Sequence, residues 1–359
     1  MVKKFVVVLD PGNGTMKYFA DGMAKPESVA AAIARYKPVS TSTKISKGRK
    51  PAQAFKVGDD SQQWVIGYED IESFKLDPIL LSGRDGLARY SNPMYALYAK
   101  MGLAKAIGKN KPSEILLITS TPAYESKKPA VLEKLDALFR DFHKVWTDDS
   151  RNIYNVSQYE TVSETEAVLY DIYFAEDGST ADEKILSQDV LVINVGFGTT
   201  DLSRYSSLEY LPLDRETIKT SYLDVVKKCR DWLEAAVGRE ITLEEVAMQL
   251  DQQKNAKTKV FKFVDNEING FNEVYQSALL SVFDEIVTEI SVLVDDTFRF
   301  SRVIVVGGPA EDTVWGNLFK SWSSRVTIPD EPQFSPTRGM YKYGKFFVLA
   351  NEETATEKE

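Results

Sequence analysis

The chain has 359 residues, enough for two domains, and its 43% hydrophobic and 27% charged residues are those of a globular protein able to bury a large core. With 44 basic and 53 acidic residues the net charge is −9. That balance argues against direct contact with nucleic acid or an anionic membrane surface, though not against a partner that itself binds DNA.

At the N-terminus only five apolar residues, Phe5 to Leu9, precede Asp10. They are too few for a secretory core or a membrane span, so a cytoplasmic protein is expected. The same valine-rich run reads as a buried strand ending in a turn. Residues 40–65, with several lysines and serines and the alternating stretches FKVG and QWVIG, predict a small exposed β-rich subdomain. Asn92-Pro93 opens and Gly108 closes a helix. A strand follows over Ile115–Thr119, and then an amphipathic helix marked by Val131, Leu132, Leu135, Leu138, Phe139 and Phe142. His143, the single histidine, is expected at that helix end as a surface or capping residue.

In the second half Val190–Val195 predicts a strand, and residues 222–237 and 274–296 predict helices. Cys229, the single cysteine, lies in an apolar stripe of the first of these and reads as a small core residue. A single cysteine excludes an intrachain disulfide and a cysteine zinc cluster, and without a second histidine or a reactive thiol His–Cys catalysis and His-based metal sites are not expected. Arg302–Val306 is a strand broken by Gly307-Gly308. A helix starts at Pro336, and the polar residues 351–359 should fray. Strands alternating with helices imply an α/β protein with mixed sheets flanked by helices.

One loop design occurs twice. VVVLDPGNGT (residues 6–15) and VINVGFGTTD (192–201) both run from a strand into Gly-x-Gly-Thr, aligning Gly12 with Gly196, Gly14 with Gly198 and Thr15 with Thr199. Glycine lets backbone approach a ligand, and the exposed N–H groups with the Thr hydroxyl can hold anionic oxygens. A single loop of this kind can equally be a plain tight turn. Two in matching positions imply duplicated halves gripping a polyphosphate in the cleft between them. Gly307-Gly308 can seat a flat base or ribose, or can simply turn the chain.

In this order, DPGNGT, ITSTP, SETEAVLY, VINVGFGTTD and VIVVGGP resemble the motifs of the actin/sugar-kinase/DnaK ATPase superfamily. The stretches VIGYED, GRDGLARYSNPMYALYAKMGLA, ITSTPAYE and PQFSPTRGMYKYG narrow the resemblance to the bacterial ParM/StbA plasmid-segregation proteins, over roughly residues 3–350. It implies two actin-like, ribonuclease-H-like lobes, residues 1–165 (with an outer subdomain near 22–90) and 166–335, and a C-terminal helix, 336–350, returning to the first lobe. ATP or GTP with Mg2+ would sit between them. Asp10, Gly12, Asn13, Gly14 and Thr15 would form the first phosphate loop, with Asp10 facing magnesium-bound water. Lys17 would either approach phosphate or be an exposed strand lysine. Gly196, Gly198, Thr199, Thr200 and Asp201 match the second loop, Asp201 and Asn194 reaching the metal through water. Gly307 and Gly308 match the adenosine loop, where Pro309 replaces a frequent third glycine. Glu164 or Glu166 would position the attacking water; acids at a helix start also complement its dipole.

Asn194 stands where the resemblance implies aspartate. An amide keeps a carbonyl acceptor but carries no charge, so hydrolysis slower on the order of 10²–10³-fold is expected. The implied function is a nucleotide-dependent, head-to-tail filament that moves plasmid DNA through a DNA-binding adaptor at a centromere. Lys44, Lys47, Arg49, Lys50 and Lys56 are candidates for a longitudinal contact. The alternatives are a small-metabolite kinase, for which no substrate motif is visible, and a non-polymerising actin-like scaffold; a chaperone of the DnaK type would need a further domain.

Overall fold

A computed structural model describes the chain except for residues 1–3, 38–52, 60, 82–85, 148–149, 254–255, 265, 295–299 and 357–359. Lys44, Lys47, Arg49 and Lys50 therefore lie outside the described residues. The first half contains β1 (Phe5–Pro11), β2 (Thr15–Ala20), β3 (Glu27–Ala30), β4 (Ala32–Tyr36), β5 (Phe55–Val57), β6 (Gln63–Ile66), α1 (Tyr68–Ser73), β7 (Ile79–Leu80), α2 (Gly86–Tyr90), α3 (Pro93–Ile107), β8 (Ile115–Thr121), α4 (Pro129–Phe139), β9 (Asp141–Thr147), β10 (Ser150–Ser163) and α5 (Glu164–Tyr173). The second contains β11 (Asp189–Val195), β12 (Thr200–Ser206), β13 (Glu209–Ile218), α6 (Tyr222–Val237), α7 (Leu243–Gln252), β14 (Lys262–Phe263), β15 (Asn266–Glu267), α8 (Phe271–Leu293), β16 (Arg302–Val306), α9 (Thr313–Trp322), β17 (Val326–Thr327), α10 (Ser335–Tyr343) and α11 (Leu349–Thr356).

The duplication is explicit in the strand order. One sheet runs β3-β2-β1-β8-β10 and the other β13-β12-β11-β16-β17. In both, the first two pairings are antiparallel and the last two parallel. Each central strand, β1 or β11, is a buried apolar run (Val6–Leu9, Val190–Ile193) that ends in a polar residue, Asp10 or Asn194, at the loop. The first sheet continues through β9, β5, β6, β4 and β7 to ten strands. Of the β-rich stretch expected at 40–65, residues 40–52 and 60 lie outside the described residues, and the described remainder extends the main sheet: β5 pairs with β9, and Phe55 is fully buried.

Local signals explain the helix ends. Asn92 Oδ1 accepts from Met94 N (3.1 Å), Pro93 takes the first turn, and Gly108 ends α3 at φ 59°. In α6 Asp224 accepts from Ser221 N (2.9 Å), and Gly238 closes the helix in the left-handed region. Cys229 is buried there, and desolvation pushes its thiol up to about 12, so it is packing and not chemistry.

Four expectations are corrected. The helix marked by Val131 stops at Phe139; Asp141 adopts φ 84° and the chain turns into β9, leaving Phe142 67% exposed. His143 is a buried strand residue, yet it does cap: its Nε2 lies 2.6 Å from the Phe139 carbonyl at the end of α4. The polar tail does not fray at 351 but continues α11 to Thr356, with Lys4 paired to Glu352 at 2.8 Å. The long helix of the second half spans 271–293 and not 274–296.

α10 packs against α5 and lies over β1, β2 and β8 of the first sheet. The crossing is close: a Cβ at Gly339 would stand 1.7 Å from the Ala167 carbonyl oxygen. Beside it, Asp171 on α5 accepts from Arg338 (2.8 Å) and Lys342 (3.0 Å) on α10. Gly339→Ala should therefore lower stability by about 2–3 kcal/mol in denaturant unfolding. Helix propensity alone would give a gain of about 1 kcal/mol, so the sign separates the clash from the propensity.

Candidate functional site

The two glycine loops touch. A Cβ at Gly14 would fall 2.5 Å from the Cβ of Phe197, and one at Gly198 would fall 2.7 Å from Asn13 Nδ2. Each loop thus lays its middle side chain over the last glycine of the other. The second loop is fixed from behind by α6: Tyr222 N and Leu223 N donate to the carbonyls of Gly196 (3.3 Å) and Phe197 (2.8 Å), and Ser221 Oγ also donates to Phe197 (2.9 Å). The first is fixed by Ala31 N donating to the Gly14 carbonyl (2.8 Å). Gly307 joins the same wall at φ 103°, where a Cβ would overlap the Val195 carbonyl at 2.0 Å.

These segments line one cleft of about 1210 Å³, counting the space open to solvent. Asp10, Gly12, Asn13, Gly14, Thr15, Lys17, Glu164, Asn194, Gly196, Gly198, Thr199, Gly307 and Gly308 all line it. Asp10 accepts from Lys17 Nζ (2.6 Å) and Ser120 Oγ (2.7 Å). Lys17 is therefore an inward, paired lysine, not an exposed one. Burial alone would lower its pKa, but the charges of Asp10 and Glu164 outweigh that and raise it. Asn194 Nδ2 donates to Glu164 Oε2 at 2.5 Å. Glu164 sits deep at the start of α5 with one side open to the cleft. Desolvation, then the charges of Asp10 and Asp201, hold its carboxyl well above the ordinary range, while Lys17 and Arg89 pull the other way.

Three residues grouped with these in the sequence do not line the cleft. Glu166, two positions along α5, points elsewhere and accepts from Tyr170 Oη (2.9 Å). Thr200 is buried and donates to the Thr220 carbonyl (2.8 Å). Asp201 spends its oxygens on Thr217 Oγ1 (2.5 Å), Ala123 N (3.2 Å) and Thr199 Oγ1 (3.4 Å). Burial raises it to about 6 against those hydrogen bonds. Sequence reasoning missed much of the remaining lining, including Arg89 and Tyr68 from the first half and Tyr222, Lys259, Tyr275 and Gln333 from the second. Tyr222 and Tyr275 hydroxyls meet at 3.3 Å, and Lys259 Nζ stands 5.7 Å from the Tyr275 ring centroid.

No protein-family model and no curated protein sequence matches the chain. Solved structures do. An apo psk41 ParM aligns with TM-score 0.69 at 17% identity, covering 97% of this chain and 98% of that one. Ta0583, an archaeal actin homologue in complex with ADP, gives 0.70 at 16%, with 96% and 99% covered. A 15-stranded ParM filament from Clostridium botulinum gives 0.74 at 16%, with 97% and 100% covered. The fold is actin-like. Its two ribonuclease-H-like halves and the cleft between them follow from the matching strand orders above, and the similarity spans nearly the whole of each actin-like relative.

A carboxyl held high in the folded actin-like chain binds a proton that the unfolded chain has lost. Its contribution is full below the ordinary carboxylate pKa and is lost as pH rises through the raised value. Unliganded protein should accordingly lose stability as pH rises across that window, by at most about 1.4 kcal/mol per pH unit for one group. Glu164→Gln should flatten the profile in pH-dependent urea titrations; a profile unchanged by the substitution would place the charge strain elsewhere.

Proposed function

We propose that this actin-like chain binds a nucleoside triphosphate with magnesium between its lobes, hydrolyses it slowly and assembles head-to-tail into filaments. The observation that carries the reading is the reciprocal contact of the two glycine loops, Asn13 over Gly198 and Phe197 over Gly14, at one shared cleft. The residues fit the nucleotide. Bare backbone lines both loops, and the buried Asn13 Oδ1 has no hydrogen-bond partner. Tyr222 and Tyr275 add aromatic surface near Gly307 that suits a nucleoside. Among the described residues no group of three acidic, His or Cys side chains could hold a metal alone. A magnesium ion would therefore depend on phosphate oxygens and water, with Asp10 and Asn194 as acceptors for that water.

When bound, the metal neutralises phosphate charge. The chain's own part is to orient and to take a proton. Glu164, with its raised pKa and its Oε2 fixed by the Asn194 amide, is the base that would accept the proton of an attacking water. Lys17 and Ser120 hold Asp10 in place. Asn194 contributes orientation without charge, which supports slow turnover. In this reading residues 1–165 and 166–335 are the two lobes, Asp201 ties them together instead of serving the metal, and DNA is reached only through an adaptor. The similarity to a ParM filament supports self-assembly over a metabolite kinase.

Sedimentation with Mg-ATP, Mg-GTP, the diphosphates and no nucleotide tests the proposal: triphosphate should drive the protein into the pellet, and electron microscopy should show filaments. Protein that stays in solution under every condition argues for the scaffold. Glu164→Gln should slow phosphate release by on the order of 10²-fold or more with little change in binding. Asn194→Asp should speed it by about 10²-fold in magnesium; an unchanged rate removes the role given to that amide.

A further inference from the structure

Carboxyl groups outnumber cations at and behind the cleft. Asp10 and Glu164 line it, with the buried Asp201 and Glu125 behind them, against Lys17 and Arg89. Lys17 is committed to Asp10 at 2.6 Å. Arg89 is different. It is only 7% exposed, yet it lines the cleft. Among the described residues its guanidinium makes one hydrogen bond, from Nη2 to the carbonyl of Pro11, the residue that leads into the first glycine loop. Its Nε is buried with no hydrogen-bond partner. The rings of Tyr90 and Tyr95 flank it, with centroids at 5.7 and 5.3 Å, and the Tyr90 hydroxyl is itself held by Glu125.

An arginine cannot shed its charge, and a buried donor left empty costs stability. The cost is offset when an anion arrives, because the planar guanidinium matches phosphate oxygens better than an ammonium does. Its position selects which phosphate. Arg89 donates to the carbonyl of Pro11, the residue after Asp10, so it lies on the side of the cleft where Asp10 and Lys17 pair.

We propose that Arg89 binds the terminal phosphate of the nucleotide, so that the first glycine loop senses triphosphate against diphosphate through the Arg89–Pro11 contact. The proposal rests on the nucleotide reading above and names the residue that gives that site its preference. The loop is reached directly: a ligand that draws the guanidinium also draws on the Pro11 carbonyl, one residue before Gly12.

Calorimetric titration of the full-length protein with ADP, GDP and their non-hydrolysable triphosphate analogues, AMPPNP and GMPPNP, tests it. Arg89→Gln should weaken the triphosphate analogue by about tenfold or more, as loss of a charged hydrogen bond implies, and the diphosphate by less than about threefold. Arg89→Lys, which keeps the charge but not the fork, should fall between. Equal losses for both ligands, or none, would assign Arg89 a packing role and overturn the inference while the nucleotide reading stands. If thermal melting shows that Arg89→Gln does not fold, the ratio measured on Arg89→Lys decides, an unchanged ratio overturning the inference. Wild-type protein that binds none of the four ligands would overturn both.

Discussion

Two backbone turns from different sheets approach until only glycine fits between them, and this contact organises the molecule. Neither Gly14 nor Gly198 could carry a side chain, because Phe197 and Asn13 occupy the space. Everything near the contact serves to hold it. The N-terminus of α6 grips the back of one loop, Ala31 grips the other, and Gly307 fills the remaining gap beside Val195. The consequence is a surface of backbone and small side chains facing one cleft, with the charged side chains set beneath it. A site built this way would recognise anions by geometry first and by charge second.

The halves are alike in topology and unlike in charge. Asp10 faces Lys17 across β1 and β2, and Asn194 faces Asp201 at the corresponding register of β11 and β12. The first pair neutralises itself. In the second, an aspartate at 194 would set a carboxylate opposite Asp201 and in contact with Glu164, three acids with one neighbouring ion pair. The amide removes that repulsion and donates to Glu164 instead. Asymmetry between the loops therefore has a local electrostatic reason.

What could be read from sequence was what local physics decides. Asn92, Pro93 and Gly108 bound α3, and the period of Val225, Val226, Cys229 and Leu233 located α6, because caps and periodicity act over a few residues. The repeated Gly-x-Gly-Thr located both loops. Phe142 and His143 were misplaced because the apolar spacing of α4 carries on past the point where Asp141 turns the backbone. Glu164 and Glu166 could not be separated: both lie in the first turn of α5, and only the direction of the helix relative to the cleft decides which one reaches it. Tyr68 and Arg89 lie in the stretches VIGYED and GRDGLARYSN that carry the resemblance, yet nothing local marked them as cleft residues, and Lys259 and Tyr275 gave no signal at all, since the lining is made by chain segments far apart in sequence meeting in space.

The contacts between the lobes are unequal, and that sets which way the cleft can open. At the closed end Asp201 accepts from Ala123 N in the segment after β8, Arg215 donates to Ser126 Oγ (2.7 Å) and Lys127 to the Arg215 carbonyl (3.1 Å). The carboxylate at the centre of that set is 1% exposed, so breaking its bonds would strand a buried charge. At the other end α7 reaches α1 through an exposed contact, Gln252 Nε2 to Glu72 Oε2 (2.6 Å), near Tyr68 and Asp251 on the cleft wall. Water can replace that bond at little cost. Separation of α1 from α7 about the Asp201 end is therefore the cheapest way for a ligand to enter. A ligand that contacts both glycine loops would favour the closed arrangement by its differential affinity for it. On the nucleotide reading proposed above, lobe closure and occupancy of the cleft would be one equilibrium, and any surface spanning both lobes would inherit it.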